Sequence, residues 1–204
     1  MPLTIAAMAD THGNTLVVPD ADILIHAGDL TMMGTRPQVE ESIAWLQSLP
    51  HRHKIFVAGN HDFLFETEPE AAEAIVRGAG IHYLRDSEVT VEGVRIWGAP
   101  WQPRFFDWAF NLDRGEPLAA KWRLIPQGLD VLVTHGPPAG YGDRCWDGRR
   151  VGCADLLEHL RRAKPRFNFF GHIHEDRGEW QVGPTRVINC TTSECDLPVT
   201  LVTL

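Results

Sequence analysis

Five polar motifs that must end up in one place constrain this chain more than anything else in it. They are Asp10-Thr11-His12, Gly28-Asp29, Gly59-Asn60-His61-Asp62, Thr134-His135-Gly136 and Gly171-His172-Ile173-His174. Most follow an apolar run and lie beside glycine. Together they supply carboxylates, a carboxamide and several imidazoles, a donor set suited to two adjacent metal ions. Any one of them recurs by chance in many proteins. All five in this order require a fold whose loops, spread from residue 10 to residue 174, converge.

The apolar runs read as strands. Residues 3–9, 22–27, 53–58, 130–134 and 167–170 are of strand length, and each leads into a motif. Helices are predicted at 37–49, where Pro37 precedes the stripe Val39, Ile43, Trp45 and Leu46, and at 68–78 and 151–163; a short one is predicted near 117–124. Strands at 81–83, 88–91 and 94–98 follow the second helix, the last two joined at Glu92-Gly93, a hairpin signal. Residues 100–112 read as irregular and aromatic-rich, and 180–204 as two or three antiparallel strands. Early strand–helix alternation implies βαβ units and a largely parallel first sheet. The whole reads as α/β, two sheets face to face with helices outside, in one domain over 1–204.

Open α/β sheets bind ligands beyond the carboxyl ends of their strands, where these motifs begin. Asp10 and His12 flank one residue, so in extended backbone both would point to one side and hold one ion. His172 and His174 repeat that spacing and could also reach neighbouring ions. Asp29 has two oxygens and can bridge; Asn60 offers a neutral oxygen and His135 a nitrogen. Two divalent ions bring four positive charges, and Asp10 and Asp29 offset two. The excess suits a hydroxide and an anionic substrate, as in two-metal in-line displacement at phosphorus. Mixed nitrogen and oxygen donors favour Mn, Fe, Co, Ni or Zn over Mg. His61 and Asp62 are read as catalytic rather than coordinating: His61 as proton donor to the leaving oxygen, with Asp62 or another carboxylate orienting its ring.

The five motifs resemble those of the calcineurin-like metallophosphoesterase superfamily. Gly98-Ala99-Pro100-Trp101-Gln102-Pro103, Trp108-Ala109-Phe110-Asn111-Leu112, Lys121-Trp122-Arg123-Leu124-Ile125-Pro126, Thr134-His135-Gly136-Pro137-Pro138 and Arg150-Val151-Gly152-Cys153 resemble a narrower subgroup, the brain-type metallophosphoesterase-domain-containing proteins and their bacterial relatives. The resemblance implies a four-layer α/β/β/α sandwich of two mixed sheets flanked by helices. It implies hydrolysis of small phosphodiesters, 2′,3′-cyclic nucleotides among them, by a metal-bridging hydroxide, commonly with manganese. It places Asp10, His12, Asp29 and His174 on one ion, and Asp29, Asn60, His135 and His172 on the other. His61 is then the substrate-facing acid. The same core also serves phosphomonoesterases and protein phosphatases, and a different class of relative keeps the fold as a silent binding scaffold.

Other features narrow the partners. A formal charge of −8 argues against unselective binding of long nucleic acid. No apolar run is long enough to span a membrane and the start lacks a signal-peptide pattern, so a cytoplasmic location is expected. Cys145, Cys153, Cys190 and Cys195 are expected to be reduced thiols. His26 is expected in the core. The aromatics Trp101, Phe105, Phe106, Trp108 and Phe110 suggest a base-stacking face, a packed rim or a homodimer contact. Arg144, Arg149 and Arg150 either meet a second phosphate or are solvated.

Overall fold

The computed structural model describes residues 2–204. The chain runs β1 (Thr4–Met8), β2 (Ile23–Ala27), α1 (Arg36–Ser48), β3 (His53–Val57), α2 (Leu64–Thr67), α3 (Pro69–Gly78), β4 (His82–Tyr83), β5 (Ser87–Val91) and β6 (Val94–Ala99). It continues β7 (Gln102–Pro103), β8 (Asn111–Leu112), α4 (Glu116–Trp122), β9 (Val131–Thr134), α5 (Ala154–Ala163), β10 (Phe167–Phe170), β11 (Gly178–Val182), β12 (Thr185–Asn189) and β13 (Thr200–Thr203). One sheet has the order β13-β1-β2-β3-β4, and the other β11-β12-β10-β9-β6-β5. In the first, β1 to β4 are parallel and β13 joins β1 antiparallel. In the second, β6, β9, β10 and β12 are parallel, with β5 and β11 antiparallel at the edges.

Strand periodicity sorts the core into layers. Ile5, Ala7, Ile23, Ile25, Ile55 and Val57 face the second sheet's Ile96, Val131, Val133, Phe167 and Phe169. The alternate residues Ala6, Met8, Leu24 and Phe56 face the helices, packing with Val39, Ile43, Leu46, Ala72 and Val76. Leu132, Phe170 and Val187 similarly meet Trp122, Leu156 and Leu160 of α4 and α5. Both faces of each sheet are therefore covered, which is why these strands are nearly continuous apolar runs. Each fully buried aliphatic side chain contributes about 1.5–3 kcal/mol relative to exposure.

Three local differences from the sequence reading have physical causes. The last major helix starts at Ala154 rather than Val151. The Val151 and Cys153 N–H groups are drawn aside by the Asp143 and Pro137 carbonyls at 3.0 and 2.9 Å, and the Cys153 sulfur accepts the Leu156 N–H as an N-cap. The irregular 100–112 segment contains a short parallel ribbon, β7 with β8. Of the C-terminal strands, β11 and β12 form the expected hairpin, but β13 crosses to the other sheet. There the Thr192 N–H bonds Ala9 O at 2.8 Å and stitches the two sheets at their carboxyl edge.

Candidate metal centre

All five motifs sit at that edge, just beyond β1, β2, β3, β9 and β10. Asp10, Asp29, Asn60 and His135 are buried, His12 is 8% exposed, and His172 and His174 are partly covered. Their donor atoms gather in overlapping groups. Asp10, His12 and His174 form one; Asp29, His135 and His172 form another; His12, Asp29 and His61 form a third, with donor atoms in each within 4.8 Å of one another. Asp29 belongs to two of the three groups, and His12 links it to Asp10 and His174. Asn60 Oδ1 lies 2.9 Å and Asp29 Oδ2 3.3 Å from His135 Nε2.

The backbone brings these groups together differently from the extended geometry expected for Asp10 and His12. Asp10, His12, Asp29 and His172 all have positive φ, at 57°, 48°, 54° and 72°. Such left-handed conformations are costly for residues with a Cβ and concentrate at functional sites. Hydrogen bonds hold them: Asp10 N–H to Gly28 O at 2.9 Å, His12 N–H to Asp29 O at 3.0 Å, and His172 N–H to the Asp10 carboxylate at 3.1 Å. Close approach matters most at Gly59 and Gly171, where a Cβ would lie 2.3 Å from Asp29 Oδ1 and 2.4 Å from Asp10 Oδ2.

The electrostatics require positive charge. Burial alone would raise the carboxyl of Asp10, yet its contact with His174 and the charge of His135 hold it below the ordinary range. Burial likewise opposes the Asp29 carboxylate, and His135 outweighs it and holds Asp29 low. Burial opposes the His135 cation, but Asp29 raises it to about 9; His172, buried beside His135, falls to about 3. His135 Nδ1 donates to the Ala27 carbonyl at 3.0 Å, and with its pKa raised the metal-free ring keeps a second proton on Nε2, facing Asn60 Oδ1 at 2.9 Å and Asp29 Oδ2 at 3.3 Å. A divalent ion bound here would take the place of the Nε2 proton beside the two oxygens, and this mixed nitrogen and oxygen set fits such a metal.

A cavity of about 330 Å³ opens over this centre, lined by Met32, His61, Phe105, Trp108, Glu175 and Glu194 beside the donor residues. His61 lies edge-on to His12, ring centres 4.6 Å apart, and against Trp108 at 4.2 Å. Its Nδ1 is 2.6 Å from Met32 O and donates to that carbonyl. Asp62 does not orient this ring. Its carboxylate accepts the N–H groups of Leu30, Thr31 and Gly59 and the Thr31 hydroxyl at 2.8–3.2 Å, tying together the loops that carry Asp29 and Asn60. Burial, with Asp29 nearby, pushes Asp62 up to about 6.

The aromatic segment divides. Trp101 and Phe110 are core, Phe105 and Trp108 line the cavity, and Phe106 projects outward, 84% exposed. Arg149 and Arg150 pair with Asp147 and Asp143, their side chains 78% and 54% exposed, and neither lines the cavity. His26 is buried behind the centre with Nε2 3.0 Å from Thr11 Oγ1, and burial lowers it to about 3. Sequence reading missed Met32 and Ala27, whose roles are played by carbonyls that no side-chain pattern reveals. It also missed Glu175 and Glu194. Glu175 directly follows the Gly-His-x-His motif, which is the one signal that could have found it.

A family model described as calcineurin-like phosphoesterase matches residues 3–176. The chain belongs to the calcineurin-like phosphoesterase family. It is 43% identical over 211 residues to human metallophosphoesterase domain-containing protein 1, an alignment covering 90% of this chain and 64% of that protein. It therefore spans less than two thirds of the human relative. Identity to UPF0046 protein C25E10.12 of Caenorhabditis elegans is 40% over 197 residues, covering 88% of this chain and 69% of the relative. Among solved structures, TT1561 of Thermus thermophilus superimposes with a TM-score of 0.61 at 13% identity, over 100% of this chain and 99% of that one. A novel archaeal phosphodiesterase superimposes with a TM-score of 0.51 at 14% identity, over 99% and 100%. These structures share the fold. Calcineurin-like phosphoesterases use divalent metal ions, and the grouped donors here are candidates to hold them. Among the described residues no helix is long and apolar enough to cross a membrane.

Proposed function

We propose that the chain is a dinuclear metal-dependent phosphodiesterase acting on small phosphodiesters, with 2′,3′-cyclic nucleotides among the candidates. The observation that carries the reading is Asp29, whose carboxylate groups with His135 and His172 on one side and on the other lies 3.9 Å from His12, itself grouped with Asp10 and His174. Asp10, His12, Asp29 and His174 would hold one ion, and Asp29, Asn60, His135 and His172 the other. Manganese suits the mixed nitrogen and oxygen donors. Two such ions would lower the pKa of a shared water and neutralise phosphoryl oxygens.

The remaining chemistry falls to side chains around the cavity. With Nδ1–H donating to Met32 O, His61 presents Nε2 for proton transfer to the leaving oxygen. Trp108 packs on the His61 ring and restricts its rotation. Phe105 and Trp108 give one wall an apolar aromatic face, suited to a planar leaving group. The cavity volume suits a small ester.

Hydrolysis of bis-p-nitrophenyl phosphate and mono-p-nitrophenyl phosphate by Mn²⁺-loaded protein tests the proposal. Preference for the diester is expected. Exclusive turnover of the monoester, or of neither, contradicts it.

A further inference from the structure

Two carboxylates line the cavity outside the grouped metal donors: Glu175, directly after His174, and Glu194. Glu194 sits in an unusual turn. Ser193, Glu194 and Cys195 have φ of 48°, 61° and 76°, three successive left-handed residues without a glycine. Left-handed residues ordinarily occur singly. The turn is pinned by Glu194 N–H to Asp10 O at 2.9 Å and Leu197 N–H to Thr192 O at 2.9 Å. A strained segment anchored to the Asp10 backbone therefore carries a carboxylate into the cavity wall.

No lysine or arginine lines this cavity. The acidic groups of the neighbouring loop are neutralised, Asp143 by Arg150 and Asp147 by Arg149. Glu175 and Glu194 form no ion pair among the described residues. Counting charge, two divalent ions would bring four positive charges, and Asp10 and Asp29 offset two. A metal-bridging hydroxide would offset a third and leave one for a monoanionic substrate, and Glu175 and Glu194 add two negative charges at the exposed cavity mouth. The excess available to a substrate at the cavity mouth is thus smaller than the motif residues alone suggest.

We infer that Glu175 and Glu194 are specificity-determining residues that select monoanionic phosphodiesters and reject esters carrying a second negative charge. The selectivity presupposes the phosphodiesterase chemistry proposed above. A diester brings one negative charge to the centre, whereas a monoester or a nucleotide with a further phosphate brings at least one more. Both carboxylates are solvent-exposed, so the repulsion is partly screened, and it weakens further with salt.

The test compares wild type, Glu175→Gln, Glu194→Gln and the double variant, each loaded with Mn²⁺ at mildly alkaline pH. The readout is the ratio of kcat/KM for p-nitrophenyl phosphate to that for bis-p-nitrophenyl phosphate, in which losses of folded protein cancel. Each substitution is expected to raise the ratio on the order of threefold to tenfold, and the gain should shrink at high ionic strength. Calorimetric binding of inorganic phosphate, read without turnover, should tighten by a similar factor. A ratio and a phosphate affinity that stay within about twofold of wild type in the double variant overturn the role of the carboxylates. If no form hydrolyses either ester, the phosphodiesterase assignment fails, and the phosphate affinities still decide whether the glutamates repel anions.

Discussion

Alanine at Gly59 is expected to disrupt the metal centre through sterics alone. A Cβ there lies 2.3 Å from Asp29 N, 2.3 Å from Asp29 Oδ1 and 2.8 Å from His135 Cε1, whereas ordinary contact begins at 3.4 Å. Asp29 must therefore retreat by roughly 1 Å, and the loop ends of β2 and β3 must part with it. Overpacking typically costs about 1–3 kcal/mol, and involvement of a backbone atom places this case in the upper half of that range. For a chain of this size, about 2–3 kcal/mol corresponds to a fall in Tm of about 4–12 °C. Moving the shared carboxylate should also lower metal content below two ions per chain. Gly93→Ala is the control: its φ is +79° but nothing lies within 4 Å of the added Cβ, so it suffers backbone strain and keeps its metal. Thermal unfolding of the metal-free proteins and elemental analysis of the Mn²⁺-loaded ones provide the readout. A Gly59→Ala protein with wild-type Tm and full metal content would refute the close packing of these loops.

His61→Ala should lower turnover of a diester by about 10²–10⁴ and keep its metal; loss of metal on elemental analysis would instead make His61 a ligand. Asp29→Asn should weaken both ions together in a calorimetric Mn²⁺ titration, and retention of one site at unchanged affinity would argue against a shared carboxylate. Alkaline stability should depend on Tyr83, whose hydroxyl is buried without a hydrogen-bond partner and which burial raises above its ordinary 10.0. The phenol ionises first in the unfolded chain, so its stabilising share is present below about pH 10 and declines above it, by at most about 1.4 kcal/mol per pH unit. Tyr83→Phe should flatten that decline in urea denaturation and leave stability at neutral pH unchanged or higher; equal alkaline slopes in the two proteins would contradict this.

The architecture was legible where burial imposed a pattern. Strands covered on both faces had to be apolar throughout, and the helix α1 had to carry Val39, Ile43 and Leu46 on one stripe, so both were readable. The destination of β13 was not, because Thr200–Thr203 carries no feature that chooses between the two sheets. At the centre, side-chain chemistry identified the residues that gather there, but the backbone that gathers them was misjudged. Extended geometry at Asp10 and His12 seemed natural from their spacing; the structure uses left-handed turns, whose stability derives from long-range hydrogen bonds to Gly28 and Asp29. Asp62 looked like a partner for His61 because the two are adjacent. In space its oxygens face the backbone of Thr31 and Gly59, and a main-chain carbonyl at Met32 takes the role instead. Glu194, twenty residues beyond His174, reaches the cavity only because β12 ends beside β1, a relation of topology rather than of motif.

The central claim is that one carboxylate-bridged pair of ions performs diester hydrolysis. Metal-stripped protein titrated with Mn²⁺, with bound metal and bis-p-nitrophenyl phosphate turnover followed on the same samples, tests it most directly. Activity absent at zero metal and maximal at two ions per chain is the predicted result. Full activity without metal, saturation at a single ion, or no turnover at two ions would contradict it.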